Sequence, residues 1–372
     1  NEIDTAATPL KPLRPGEEVL VEAHDKTPLG IAYLNPHSLI AARLLTRDPH
    51  EPVDLDFFIR KLRAALHLRT RLFHEPYYRL VFSEADGLPG IVIDRFGNDL
   101  VMQVNTAGME QKIDLLSQAL TTVLPDMTSL LLRNDSPIRE QEGLACYVKP
   151  GFGTPPDEII VRENGVQFFI PLWKGQKTGW FYDHRMNRAR LRDYVPHQTV
   201  LDVFSYMGGW GLQAAHFGAE RVDCIETSAI ACDFIQRNAK LNHLEHKIMT
   251  LCDDAFDAMK QLLHQHKKYD VIILDPPAFV KRFKDRKEGL IAYQRLNELA
   301  LKLLTPFGIL FSCSCSMHVS QEDLLQLLQR AAFRTQSQLQ VIERGHQGPD
   351  HPLHPSIPET DYLKAVVVRK VN

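Results

Sequence analysis

Hydrophobic and polar positions change rhythm twice along this chain. From Glu17 to Arg47 they come in short alternating runs: Glu-Val-Leu-Val-Glu-Ala, a turn from Asp25 to Leu29, Gly30-Ile-Ala-Tyr-Leu, a turn at Asn35-Pro36, then Ile40 to Leu45. Strands this short and close predict a small barrel or half barrel. It can serve as a plain β-subdomain or as an RNA-docking module, and its residues do not choose between them. Asp54 to Leu72 then repeats at helical spacing, with Phe57, Phe58, Leu62, Ala65 and Leu66 on one stripe and Arg60, Lys61, Arg63, Arg69 and Arg71 elsewhere. Those cations could face phosphates or simply water. Strands are expected at Tyr78 to Phe82, Gly90 to Ile93, Asp99 to Val104 and Ser129 to Arg133, with a helix from Met109 to Leu124. Together they make an α+β unit.

The second change follows Lys149 to Asp157, where three prolines and two glycines suggest a boundary. Three domains are therefore expected, over residues 1–50, 51–157 and 158–372. The last opens with a hairpin from Ile159 to Leu172 that turns on Asn164-Gly165. Strands at Val200 to Phe204, Val222 to Glu226, Met249 to Leu251, Val271 to Leu274 and Ile309 to Ser314 then alternate with helices at Trp210 to Phe217, Ile230 to Leu241, Ala255 to His264 and Ile291 to Leu304. Continuous apolar strands imply a sheet covered on both faces. The fold class is α/β, a doubly wound nucleotide-type domain preceded by a small β domain and an α+β domain.

Composition narrows this picture. A chain of 372 residues, 44% hydrophobic and 24% charged, has material for more than one core. It has no apolar run long enough to span a bilayer. A net charge of -3 means that any nucleic-acid surface must be a local patch. The six cysteines include no CxxC pair, which argues against zinc or a disulfide framework and for a reducing cytoplasm. Cys146, Cys224, Cys232 and Cys252 read as packing residues. The start at Asn1, followed by Pro9, Pro12 and Pro15, looks cut from a longer chain. Oligomeric state has no signature here, and a homodimer stays open.

Chemistry gathers at the ends of the predicted parallel strands, where open α/β sheets bind ligands. Leu201-Asp-Val-Phe-Ser-Tyr-Met-Gly-Gly-Trp-Gly211 runs from a strand through a glycine-rich turn into a helix. Gly209, Gly211 and Ala214 formally match a dinucleotide fingerprint. The Phe-Ser-Tyr-Met insert and the carboxylate of Asp202 favour S-adenosylmethionine, whose ammonium an acid could take. Glu226 is placed to accept from ribose hydroxyls. Asp254 could accept from an adenine amino group, with Asp253 beside it as a solvated neighbour.

Asp275-Pro-Pro-Ala-Phe279 fixes a rigid loop at a strand exit, and because proline donates no hydrogen bond the loop offers acceptors to a base. Cys315 lies at the next strand exit, between Ser314 and Ser316. A thiolate there could add to carbon 6 of a pyrimidine and turn carbon 5 into a nucleophile. Cys313, two residues earlier, should point with the strand interior. His318 could be a local base or a solvent-exposed cap.

Asp86-Gly-Leu-Pro-Gly-Ile-Val-Ile-Asp-Arg-Phe-Gly97, Lys177-Thr-Gly-Trp-Phe-Tyr-Asp-His-Arg185, Asp202-Val-Phe-Ser-Tyr-Met-Gly-Gly209, Asp275-Pro-Pro-Ala-Phe279 and Ser314-Cys-Ser316 span nearly all of the chain. In order and spacing they resemble the RlmI-like bacterial large-subunit ribosomal RNA cytosine-5 methyltransferases. The resemblance implies an N-terminal PUA domain, here lacking about its first strand, a central α/β domain and a Rossmann-like class I methyltransferase domain. It implies S-adenosylmethionine as cofactor, ribosomal RNA as partner and no metal. It also implies cofactor contacts from Phe181, Asp183, Arg185, Asp202, Phe204, Tyr206, Gly208, Glu226, Thr227, Asp254 and Asp275. Pro276, Pro277 and Phe279 would hold the base, while Cys315 and Asp275 would carry the chemistry. Trp180 and Phe181 are further stacking candidates. Ala278 occupies the place where many RNA cytosine-5 methylases carry a second cysteine. Two other readings remain: methylation at another base position, such as a guanine ring nitrogen, and a silent RNA-binding assembly factor.

Overall fold

The computed structural model describes residues 3–372. It divides into two compact units, the first Asn1–Ile159 with Pro171–Tyr182 and Pro349–Thr360, the second Ile160–Ile170 with Asp183–Gly348 and Asp361–Asn372.

The first unit holds two sheets. Strands β1 (Glu17–Glu22), β2 (Pro28–Leu34) and β3 (Ala42–Thr46) form an antiparallel meander. A five-stranded sheet follows, in the order β4 (Tyr77–Phe82), β5 (Ile91–Phe96), β6 (Asp99–Val104), β7 (Ser129–Asn134) and β8 (Tyr147–Gly153). Only β6 and β7 run parallel. The turn-rich stretch after Lys149 thus begins inside an edge strand, a position that tolerates Pro150 because one side of the strand makes no ladder bonds. Helix Leu55–Leu72 starts at Asp54, whose carboxylate accepts from the Phe57 N–H (3.0 Å). Phe57, Phe58 and Leu62 bury its apolar stripe in the core with Leu80, Ile91 and Leu130. Its cations are not one solvated row: Arg69 is 0% exposed and grips Asp86 with both guanidinium nitrogens, at 2.6 and 2.7 Å. Arg69 is therefore a core residue and cannot meet a phosphate. The helix expected from Met109 to Leu124 is two, Ala107–Glu110 and Ile113–Val123.

Strands β9 (Glu158–Glu163) and β10 (Val166–Pro171) pair as the expected hairpin, and Asn164 and Gly165 both have positive φ (53° and 87°) as its tight turn requires. In the second unit β11 (Thr199–Val203), β12 (Arg221–Glu226), β13 (Ile248–Cys252), β14 (Tyr269–Leu274) and β15 (Leu304–Ser314) are parallel. They are joined by β16 (Leu339–Gly345) and β17 (Lys364–Lys370), which run antiparallel to their neighbours. The order is β13-β12-β11-β14-β15-β17-β16. Crossovers leave β11 in one direction and β14 in the other, so a crevice opens at the carboxyl ends of these two strands. Leu201, Val203, Ile272 and Leu274 pack with helices Ala255–His264, Arg286–Leu303 and Gln321–Arg334 in the core below it. Among the described residues no helix is long and apolar enough to cross a membrane.

Candidate active site

The crevice is built from five strand exits of the second unit. After β11 the chain makes a tight knot: Phe204 and Tyr206 have φ of 68° and 51°, unfavourable for residues with a Cβ. The knot is held because the Phe204 and Ser205 N–H groups both donate to the Ile225 carbonyl (3.0 Å each). Asp202 lies fully buried beneath it. The Gly211 N–H donates to its Oδ2 (2.8 Å), while its Oδ1 is buried without a hydrogen-bond partner. Glycine is required at 211, since a Cβ would come within 2.6 Å of Cys224 Sγ and 3.0 Å of Asp202 Oδ2. Burial pushes the Asp202 carboxyl up to about 7, against the pull of the Gly211 N–H and with help from the charges of Asp275 and Glu226.

Glu226, at the end of β12, is locked in place by two backbone donors, Tyr206 N–H on Oε2 (2.8 Å) and Ser228 N–H on Oε1 (2.9 Å). Each oxygen keeps a lone pair for a hydroxyl. Thr227 beside it is exposed. Asp254 is also exposed, and its Oδ1 caps helix Ala255–His264 through the Phe256 and Asp257 N–H groups (2.9 and 3.2 Å).

At the exit of β14, Asp275 is held from both sides. The Trp210 indole N–H donates to its Oδ2 (2.9 Å), and His184 Nε2 lies 3.2 Å from its Oδ1, within ion-pair reach although not aligned as a hydrogen bond. Burial alone would raise its pKa; His184 and the indole outweigh that and hold it below the usual carboxylate value. Pro276 is buried and Pro277 exposed. Phe279 sits half-buried in an aromatic cluster, with ring centroids 4.8 Å from Tyr293 and 6.3 Å from Phe204.

The exit of β15 carries Ser314-Cys315-Ser316. The Ser314 hydroxyl donates to Tyr293 OH (3.0 Å), the same phenol lies 2.9 Å from Ser316 Oγ, and the Val280 N–H donates to Ser316 Oγ (3.2 Å). Both serines are thus tied inward, and Cys315, half-buried between them, reaches the other way with its Sγ 3.9 Å from the Pro276 carbonyl. Cys313 is buried in the strand, as alternation requires, and burial pushes its thiol up. On β17, opposite Ser314, Lys364 donates to the carbonyls of Ser316 (2.6 Å) and Tyr362 (2.7 Å). Among the described residues no carboxylate pairs with it. Burial lowers its pKa to about 8, while Cys315, Asp361 and Asp323 pull the other way.

Asp202, Phe204, Tyr206, Gly208, Glu226, Asp275, Phe279 and Cys315 therefore lie on neighbouring strand exits. Other expected residues have partners of their own, and the charge of Asp183 also reaches Asp275. Asp183 accepts from the Tyr362 hydroxyl (2.5 Å), and Arg185 lies 3.4 Å from the buried Glu163, which Arg188 also grips. Phe181 belongs to the first unit, under the Lys177 ammonium (4.9 Å), where Trp180 is buried. Cys146 and Cys252 are exposed, so they are not the packing residues they were expected to be. The sequence reading missed His184, Trp210, Tyr293 and Lys364. The first two stood inside quoted motifs, whereas Tyr293 and Lys364 lie in helix and strand with no local signal.

A model of S-adenosylmethionine-dependent methyltransferases matches residues 139–369, and one of PUA-like domains matches residues 1–47. Relatives named ribosomal RNA large subunit methyltransferase I, from Salmonella arizonae and Shewanella frigidimarina, are each 37% identical to this chain, covering 95% of it and 89% and 90% of their own length. The chain belongs to this methyltransferase family. A solved SAM-dependent methyltransferase from Streptococcus mutans shares the fold, with a TM-score of 0.83 at 21% identity over 96% of this chain and 92% of that one. The methyltransferase uses S-adenosylmethionine, and its crevice fits that group: the orphaned Oδ1 of Asp202 is an acceptor for a cation, and the fixed Glu226 carboxylate is an acceptor for a diol.

Proposed function

We propose that this enzyme methylates carbon 5 of a cytosine in large-subunit ribosomal RNA, with Cys315 as the nucleophile. The observation that carries the reading is the seat of Cys315: half-buried at a strand exit, against the carbonyl of the Asp-Pro-Pro loop, between two serines anchored to one buried tyrosine. A thiol so fixed suits covalent catalysis rather than packing. The relatives, ribosomal RNA large subunit methyltransferases, point to the RNA.

S-adenosylmethionine, when bound, supplies an electrophilic methyl group. Asp202 would hold its ammonium, Glu226 its ribose and Asp254, with its uncapped oxygen, its adenine; Phe204, Tyr206, Gly208 and Thr227 line the same exits. Asp275, Pro276 and Pro277 present acceptors to the cytosine edge, and Phe279 limits its tilt. The Cys315 thiolate adds to carbon 6, and the carbon 5–carbon 6 electron pair becomes available at carbon 5. Once carbon 5 carries the methyl group, loss of its proton to a base restores the double bond and expels the thiolate. Lys364 contributes a positive charge beside that thiolate in the resting and departing states.

The test is incubation of wild type and Cys315→Ala with labelled S-adenosylmethionine and large-subunit RNA, followed by nucleoside analysis. Wild type should yield 5-methylcytidine and the variant none. A different methylated nucleoside would overturn the position, and retained turnover in Cys315→Ala would overturn the thiol mechanism.

A further inference from the structure

The segment after Phe279, which runs into the start of helix Arg286–Leu303, is absorbed by none of the chemistry above. Between Phe279 and Glu288 it carries five cations, Lys281, Arg282, Lys284, Arg286 and Lys287, against two carboxylates, in a chain whose net charge is -3. Two of the cations are spent internally, since Arg282 pairs with Asp285 (2.8 Å) and Arg286 with Asp323 (2.6 Å). Lys281, Lys284 and Lys287 are exposed and have no ion-pair partner among the described residues. In their midst Phe283 is 74% exposed, its ring set edge-on to His318 at 6.1 Å, next to Met317, which is 55% exposed. Such an aromatic loses by facing water unless something covers it.

This segment is fastened to the turn that carries Cys315. The Val280 N–H donates to Ser316 Oγ (3.2 Å), and Arg286 Nε donates to the His318 carbonyl (3.2 Å). The exposed ring and the lysines therefore lie between two tethers to the turn that carries the nucleophile, or next to one of them.

We infer that residues 281–287, with His318, form a platform for single-stranded RNA beside the target base, Phe283 stacking on a flanking base and Lys281, Lys284 and Lys287 meeting phosphates. A bare aromatic among unpaired cations is the combination that single strands require: the ring accepts any base face, and the cations follow the backbone. A protein partner would be met by a broad apolar core depleted of charge, whereas here a single exposed ring stands among cations. A base taken out of its stack for attack leaves its neighbour with an open face, and Phe283 can cover it. The inference rests on RNA being the substrate.

The test uses the full chain and a short fluorescein-labelled RNA of mixed sequence, single-stranded or annealed to its complement. Phe283→Ala should weaken single-strand binding about tenfold, and Phe283→Trp should restore it. Lys281→Ser with Lys284→Ser should flatten the salt dependence by about 0.7 per lost phosphate contact. S-adenosylmethionine binding by calorimetry should be unchanged in all three. If wild type binds RNA and Phe283→Ala binds it equally well, the platform is wrong while the substrate reading stands. If wild type binds no RNA, both fail. If Phe283→Ala instead abolishes self-association seen by sedimentation and leaves RNA binding intact, the face is an interface between copies and the platform is again wrong.

Discussion

Lys364 Nζ lies 2.6 Å from the Ser316 carbonyl oxygen, so a buried ammonium is fixed one residue beyond Cys315. Its contacts are two carbonyls, which orient it without neutralising it. A cation so placed favours the thiolate form of a neighbouring cysteine. Lys364→Met should therefore shift the pH profile of Cys315 alkylation by iodoacetamide upward by about one unit, while Lys364→Arg keeps it near wild type. Mass spectrometry of the Cys315 peptide separates this signal from the exposed Cys146 and Cys252. Asp361 and Asp323 also act on Lys364, so the profile is compared between variants rather than with free cysteine. Coincident profiles for wild type and Lys364→Met would remove the electrostatic role.

Asp202 gives a second dependence on pH, with a defined sign. Its folded pKa, about 7, stands above the unfolded value near 3.9. The stability that its proton contributes to the cofactor-free protein is full below about pH 4 and is lost as pH rises through about 7. Cofactor affinity should run the opposite way, since an ammonium needs the carboxylate. Calorimetric affinity for S-adenosylmethionine should rise several-fold from pH 6 to pH 8, roughly one pH unit either side of that pKa, and Asp202→Asn should bind weakly with a flat profile. A wild-type affinity that does not move across this range would show that Asp202 does not take the ammonium.

How much of this was readable beforehand depends on where the information sits. The central parallel strands β11, β12 and β14 announced themselves because they are buried on both faces and largely apolar, and the Asn164-Gly165 turn because its backbone needs positive φ at both positions. Strands β16 and β17 and helix Gln321–Arg334 were passed over. Residues such as Val341 and Ile342 on β16 are exposed, so the edge strand has no clean alternation. The helix did offer a start signal in Ser320 and Asp323, which form a reciprocal capping box. At the site, Asp202, Glu226, Asp275 and Cys315 were found because strand exits are local in sequence. Lys364 is brought to Cys315 only by the antiparallel register that sets it against Ser314, and Tyr293 only by packing of helix Arg286–Leu303. Arg69 shows the converse error: helical spacing placed it among cations, but its partner Asp86 comes from a distant turn.

Tyr293 is the anchor of the Ser-Cys-Ser turn, and burial raises the pKa of its phenol above the ordinary value. Tyr293→Phe removes one hydroxyl and leaves Ser314 and Ser316 each short of a partner in a buried setting. A loss of about 1–3 kcal/mol of stability is expected, measurable by urea denaturation. Turnover should fall further than a stability loss explains, because Cys315 would no longer be held toward the loop. The affinity for S-adenosylmethionine should be unchanged, which separates a loosened nucleophile from a damaged cofactor crevice. Loss of cofactor binding in parallel with turnover would refute this division.

The covalent step itself can be caught by blocking its last stage. Fluorine in place of hydrogen at carbon 5 of cytosine leaves addition of the thiolate and methylation possible, but the group that must then leave carbon 5 is no longer a proton. The ring cannot regain its double bond, so the carbon–sulfur bond to Cys315 cannot break by the normal route. RNA containing 5-fluorocytidine should therefore form, with wild type and S-adenosylmethionine, a complex that survives denaturing electrophoresis. Its formation should slow with Lys364→Met and Tyr293→Phe, and disappear with Cys315→Ala. Adduct formation by Cys315→Ala would point to another nucleophile, and the absence of any adduct from an active wild type would argue for direct methyl transfer without a bond to sulfur.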